Sequence, residues 1–341
     1  MALTQRTGDI LRLIVTDYIS SAVPVGSASL VRHHGLNVSP ATIRNDMVKL
    51  EDEGYILRLH TSAGGIPADK GYRFFVESLP ANQPLDESRQ QALDQALEGV
   101  RRDIEQWSRV AAATVSELIG TLAFVTVPKA NATRVKQFEL LQIHELSVLL
   151  VLILQGAHVL RHLIPLDAPA TAGQLEHARN RLVRLFAGKS VKEIATEDVE
   201  DLTSFERAVI EAMIDMLRDQ ESAVTHDYVM EGLSALFEQP ELSRPGSARE
   251  LAEALDDDET ISAIAAGATP DGVVRVVIGS ENPMATLREF SVVVSRYGVP
   301  GQSVGVVGLI GPTRLAYHQA LPVVGHAANL LSGMVAEVYT S

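Results

Sequence analysis

The 341-residue chain contains no cysteine, which excludes disulfides and thiolate metal sites and suits a reducing compartment. It also lacks a long hydrophobic run. The most apolar stretch, Val148 to Leu154, ends at Gln155, Gly156 and His158, far short of the length a bilayer requires, and reads as a buried strand. No apolar block with a small-residue cleavage site opens the chain, so no signal peptide is expected and the location expected is cytoplasmic. Positive charge is in deficit, with 29 Lys and Arg against 43 Asp and Glu and a net charge of −14, which disfavours indiscriminate association with phosphate backbones. Signatures of catalysis and metal binding are missing as well. The histidines form no HExxH, no GxSxG elbow positions a serine, and GVVGLIG at 305–311 has neither GxGxxG spacing nor a P-loop lysine. Its glycines suit a strand packed closely in a core. The acidic run Asp256 to Glu259 lacks the alternating oxygens and glycine of a calcium loop. No metal, cofactor or enzymatic activity is expected.

What is present is a helix with well-marked ends. Ser39 is a suitable N-cap, Pro40 fits the first helical position, and Gly54 can end the helix in the left-handed region. Ile43, Met47 and Leu50 fall on one buried stripe, while Ala41, Arg44, Asn45, Val48 and Lys49 lie on or beside the opposite face. That face joins a guanidinium and an amide, the groups that pair with guanine O6/N7 and adenine N6/N7. A solvated polar face is the plainer alternative. Two helices are expected upstream, Thr4 to Ser21 and Ser27 to His34, with Gly35 leading into the corner of a helix-turn-helix. Downstream, Ile56 to His60 alternates as a strand, a glycine-rich turn follows at 61–65, and Ile66 to Ala68 returns before a helix capped by Asp69. Such a hairpin is a wing, offering Arg58, His60, Thr61 and Ser62 to phosphates or the minor groove. Residues 1–79 hold equal numbers of acidic and basic side chains, so the rest of the chain carries the whole charge of −14. A neutral reading module predicts weak non-specific affinity and reliance on dimerisation.

The run ATIRNDMVKLEDEGYILRLHTSAGGIPADKGYRFFVESL resembles the heat-inducible transcription repressor family HrcA, and YVMEGLSALFEQPEL at 228–242, IGSEN at 278–282 and SVVVSRYGVPGQSVGVVGLIGPTRLAY at 291–317 extend the resemblance over nearly the full length. It implies a homodimeric repressor of chaperone operons that binds double-stranded DNA at an inverted-repeat operator, is released on heat stress, depends on a GroE-type chaperonin and has no membrane association. The family commonly has arginine after the HTSAG glycine where this chain has Gly65, so that wing contact cannot be carried over, and Arg58, His60 or Lys70 is expected to substitute. Arg44 and Asn45 are the leading base-contact candidates, with Ser39, Thr42 and Lys49 positioning phosphates.

The fold expected is α+β and multidomain: an N-terminal winged helix-turn-helix at 1–80, a linker and connecting helix at 81–100, and a GAF-like α/β domain at 101–167 and 256–341. A mainly helical dimerisation domain is expected to be inserted at 168–255. Strands are expected at 137–143, 146–154 and 157–166, and again at 272–279, 290–297 and 304–310. GAF-like and dimerising are what the resemblance implies; the interrupted sheet is read from the pattern. The stripe Phe205, Val209, Ala212, Met213, Met216 fits either a partner subunit or an internal core, as do Leu233, Leu236 and Phe237. A second reading has the GAF-like domain bind a small anionic effector through Gly311, Thr313 and Arg314. A third has the winged helix contact protein.

Overall fold

The computed structural model describes residues 3–58, 64–80, 83–100, 104–130, 134–155, 159–166, 168–197, 199–222, 228–243, 251–253, 255, 258–269, 273–299 and 303–340. They form two compact units, residues 1–127 with 228–297 and 306–331, and residues 128–227 with 298–305 and 332–341.

The first unit begins with helix α1, Gln5–Ser21, capped by Thr4 and ended by Ala22 at a φ of 54°. Helix α2, Ser27–His34, closes on Gly35 at a φ of 59°, and α3, Pro40–Asp52, runs to Gly54 at a φ of 75°. Strands β1, Ile56–Leu57, and β2, Ile66–Pro67, pair antiparallel and are shorter than the alternation suggested. Helix α4, Asp69–Glu77, completes the winged helix, with Leu11, Ile14, Leu30, Ile43, Leu50, Ile56 and Tyr72 buried at its centre. Helices α5, Glu87–Glu98, and α6, Ile104–Ile119, lead to strand β3, Leu122–Thr126, after which the second unit opens with the short strand β4, Lys129–Ala130.

The second unit is built on a meander of β5, Val135–His144, β6, Ser147–Leu154, and β7, Val159–Pro165. Helices α7, Ala172–Phe186, α8, Val191–Ala195, and α9, Ser204–Ser222, follow it. One face of the meander, with Phe138, Leu140, Val148, Leu150, Leu152 and Ile164, shares a core with Leu182, Val209, Met213 and Leu217. The α9 stripe is therefore internal. The other face carries Leu141, Leu149, Val151, Ile153, Val159 and Leu163, of which Leu141, Val159 and Leu163 are about half exposed at 48%, 49% and 54%. An antiparallel sheet with one free face normally alternates apolar and polar residues, and this one does not. The meander belongs to the same compact unit as α7 and α9 because it buries its apolar face on them.

The chain then returns to the first unit through β8, Tyr228–Glu231, α10, Leu233–Phe237, a 3₁₀ turn at Pro240–Ser243, and α11, Asp258–Ala266. Strands β9, Arg275–Ile278, β10, Phe290–Val299, and β11, Ser303–Pro312, and helix α12, Tyr317–Thr340, complete it. The strand order is β8-β3-β11-β10-β9, with β4 beside β11, which is the sheet of the GAF-like α/β fold. Successive residues such as Val292, Val293 and Val294 are all buried, so both faces are covered. Gly308 earns its place in β11: a Cβ there would stand 2.6 Å from the Phe124 ring and 2.8 Å from the Val293 carbonyl oxygen. Leu236 and Phe237 pack into this core. Ser247 and Glu250, which have the spacing of a capping box at the start of a helix, lie outside the described residues. Among the described residues no helix is long and apolar enough to cross a membrane.

Candidate nucleic-acid interface

Helix α3 is held at its start by Ser39, whose Oγ accepts the Thr42 N–H at 3.1 Å and lies 3.0 Å from the Thr42 hydroxyl. Its Ile43, Met47 and Leu50 stripe is buried, while Ala41, Arg44, Asn45, Val48 and Lys49 are exposed as their spacing predicts. Arg44, Asn45 and Lys49 make no side-chain hydrogen bond or ion pair among the described residues. Their donors and acceptors are therefore free for a ligand. The corner before α3 is fixed from the other side, where His34 Nε2 lies 2.8 Å from Asp17 Oδ1 of α1.

Of the residues expected on the wing, His60, Thr61 and Ser62 lie outside the described residues. Arg58 is paired with Glu51, its Nε donating to Oε2 at 2.7 Å, and only 9% of its side chain is exposed, so it closes the hairpin onto α3 and is not free for a phosphate. Lys70 donates to the Glu53 carbonyl at 2.7 Å and stands 4.0 Å over the Tyr55 ring. It satisfies a carbonyl at the end of α3, as a cation at a helix C-terminus does. Neither replaces the arginine that Gly65 lacks. Gly65 exchanges backbone hydrogen bonds with Val25 at 2.8 and 2.9 Å, and a Cβ on it would lie 3.0 Å from both the Ile56 and Met47 side chains.

The winged helix is clasped to the sheet through α4. Asp69 is the first helical residue, and its carboxylate accepts the Ser280 N–H at 2.7 Å instead of capping its own helix. Arg73 bonds Glu281, with Nε to Oε1 at 2.8 Å, and donates to the Val276 carbonyl at 2.8 Å. Burial works against the Glu281 carboxylate, but the Arg73 and Ile278 N–H bonds prevail and hold it below its ordinary pKa. Tyr72 and Tyr317 meet with ring centres 6.0 Å apart, and the Tyr317 hydroxyl lies 2.7 Å from Ser291 Oγ. IGSEN thus has a mechanical role. Gly279 takes a φ of 50° in a turn against Asp69, Ser280 and Glu281 hold α4, and Asn282 Nδ2 donates to the carbonyls of Gly279, Leu287 and Phe290 at 3.0, 2.9 and 2.9 Å.

The candidate effector site at Gly311, Thr313 and Arg314 is occupied by the protein itself. Arg314 Nε donates to Glu241 Oε1 at 2.6 Å and Nη2 to Gln239 Oε1 at 2.6 Å, with 15% of the side chain exposed. The Thr313 carbonyl accepts the Tyr317 hydroxyl at 2.6 Å, and Gly311 packs on Thr121 and Leu315. An anion would have to displace Glu241. Asp46 is the residue that the apolar stripe of α3 did not reveal: it stands at i+3 from Ile43, on the buried side of the helix, but is a carboxylate.

Comparison with known proteins agrees with this architecture. Residues 105–321 match the model of the HrcA protein C terminal domain, and residues 29–67 match a DeoR-like helix-turn-helix domain. The heat-inducible transcription repressor HrcA of Dehalococcoides mccartyi is 38% identical over 337 residues, covering 99% of this chain and 97% of that protein. The repressor of the same name from Roseiflexus sp. is 35% identical over 349 residues, covering 99% and 96%. A crystal structure of a hypothetical protein shares the fold with a TM-score of 0.63 at 24% identity, covering 99% of this chain and 100% of that one. The chain belongs to the heat-inducible transcription repressor HrcA family.

Proposed function

We propose that the chain represses chaperone operons in the cytoplasm by binding an inverted-repeat operator as a homodimer, and that heat releases it when chaperonin support is withdrawn. The observation that carries the DNA reading is the exposed, unpartnered set Arg44, Asn45 and Lys49 on a capped helix of a helix-turn-helix. Arg44 and Asn45 take the bases; Lys49, with Ser39 and Thr42 at the helix start, takes phosphates. Heat control and chaperonin dependence rest on family membership. Fluorescence anisotropy tests the whole reading with an inverted-repeat duplex and a scrambled one, across a salt series, with and without chaperonin. Tight, salt-dependent binding to the repeat alone, strengthened by chaperonin, is expected. Equal weak binding to both duplexes under every condition would overturn it.

The homodimer has a surface suited to it. With the α9 stripe internal, the free apolar face of the meander is the part of the second unit that calls for a cover. Glu139, Val151 and Arg161 form one row across β5, β6 and β7. A twofold axis parallel to the strands stacks β5 of one copy over β7 of the other, so Glu139 meets Arg161 in both directions and the leucines close between them. Leu163→Lys is expected to raise the dimer dissociation constant at least about tenfold, by burying an unpaired charge. Arg161→Glu alone should do likewise, and the double change Glu139→Arg with Arg161→Glu should restore the dimer in part, since it also forfeits the bond that Arg179 of α7 donates to Glu139 at 2.8 Å. Sedimentation equilibrium reads all three. An unaltered dimer in both single variants would place the interface elsewhere.

A further inference from the structure

Asp46 presents a problem for a DNA-reading helix. Its side chain is 1% exposed, so it needs a partner, and a carboxylate on this helix repels phosphates. Arg6 of α1 offsets that charge: its Nη2 donates to Asp46 Oδ1 at 2.9 Å, across 40 residues of sequence. The bond is single, since Asp46 Oδ2 has no hydrogen-bond partner among the described residues. An arginine serving only to neutralise a buried carboxylate would be expected to sink beside it with its donors filled. Arg6 does not. Its side chain is 58% exposed, and it makes no other hydrogen bond or ion pair among the described residues, although a guanidinium offers five N–H donors. Helical spacing sets Thr42 and Lys49 beside Asp46 at i−4 and i+3, with Asn45 next round the helix. Asn45 and Lys49 are exposed and Thr42 half-buried, so the guanidinium anchored on Asp46 stands at the flank of the reading face with most of its donors open.

We infer that Arg6 is a DNA phosphate contact and that Asp46 is the positioning residue that aims it. The inference rests on the operator-binding reading and adds a residue of α1 to it. It also gives the buried carboxylate a purpose: side-chain entropy that a free arginine would lose on meeting a phosphate is already spent in the unbound protein. A contact of this kind fixes register and carries no sequence information.

The test is a salt series by fluorescence anisotropy on the inverted-repeat and scrambled duplexes, using the full-length chain below its melting temperature. Arg6→Gln is expected to weaken both duplexes by the same factor, about tenfold or more. It should also lower the slope of log affinity against log salt by about 1.8 for a dimer, at about 0.9 per phosphate. Arg6→Lys keeps the charge and should keep the slope. Asp46→Asn removes a negative charge near DNA; if charge alone mattered, affinity would rise, whereas loss of positioning lowers it on both duplexes with the slope unchanged. A lower melting temperature for Arg6→Gln with slope and both affinities intact would reduce the pair to a staple between α1 and α3 and overturn the inference. If the wild-type chain does not prefer the repeat, the operator reading falls, yet the slope on the scrambled duplex still decides the role of Arg6.

Discussion

Arg44→Ala is expected to cost about 1–3 kcal/mol per half-site on the operator and to relax preference at one base position in each half, while leaving the scrambled duplex nearly unaffected. Two half-sites double the loss for a homodimer, to about 2–6 kcal/mol, or a weakening of roughly 30-fold to ten-thousand-fold at 1.4 kcal/mol per decade. The effect is this large because the Arg44 guanidinium is exposed and unpaired in the free protein, so the interactions it makes with DNA are not traded against internal ones. Arg58→Ala is the internal contrast, because its Glu51 bond is already made in the unbound chain. Competition anisotropy with single-base operator variants separates the outcomes: a uniform loss on every duplex would mark Arg44 as a phosphate contact. Asn45→Ala should likewise weaken the operator, and unchanged affinity there would favour a protein partner for the winged helix.

Asn282→Ala is expected to produce the largest loss of stability. One buried amide shares its two N–H groups among three carbonyls, Gly279, Leu287 and Phe290, and truncation removes both donors beside a new void, although the Gly279 carbonyl keeps the Asn282 backbone N–H at 3.0 Å. At about 1–3 kcal/mol for each buried group left unpaired, and with partial relaxation, the cost is about 3–5 kcal/mol. For a unit of about 150–250 residues that lowers the melting temperature by about 6–20 °C, since each kcal/mol shifts it by about 2–4 °C. The same turn carries Ser280 and Glu281, which hold Asp69 and Arg73 of α4. Operator affinity in this variant should therefore fall with temperature earlier than in the wild type. Scanning calorimetry beside anisotropy at several temperatures checks both halves, and a melting temperature within about 2 °C of wild type would refute the account.

The features readable in the sequence were those with local causes. Ser39, Pro40 and Gly54 bracket α3 because capping depends on a few neighbouring backbone groups, and the Ile43, Met47 and Leu50 stripe follows from helical period. Strand β6 was legible because SVLLVLIL is a continuous apolar run, and β5 and β7 because short apolar stretches flank it between turns. Strands β3 and β8 were not, since LAFVT follows directly on a helix and is buried on both faces, while YVME is four residues long. Partners distant in the chain were equally hidden. Nothing local marks Glu51 as the partner of Arg58, Glu241 as that of Arg314, or Arg6 as that of Asp46. IGSEN could be recognised as a motif, but its work depends on Asp69 and Arg73, some two hundred residues earlier, at separations of 211 and 208.

The order of strands also sets a clock on synthesis. Strand β3 lies between β8 and β11, and Thr121 reaches its partner Ile310 across 189 residues. At about 5–20 residues per second, the ribosome needs about 10–40 s to deliver that partner after β3 has emerged. Through that interval Leu122, Phe124 and Val125 wait with the β11 edge unmatched, and with the other edge open until β8 emerges, while the inserted unit can already close its own core. A nascent chain held in that state is prone to wrong pairings. Any demand for folding assistance would then originate in the connectivity of the chain, and would persist however stable the finished core became.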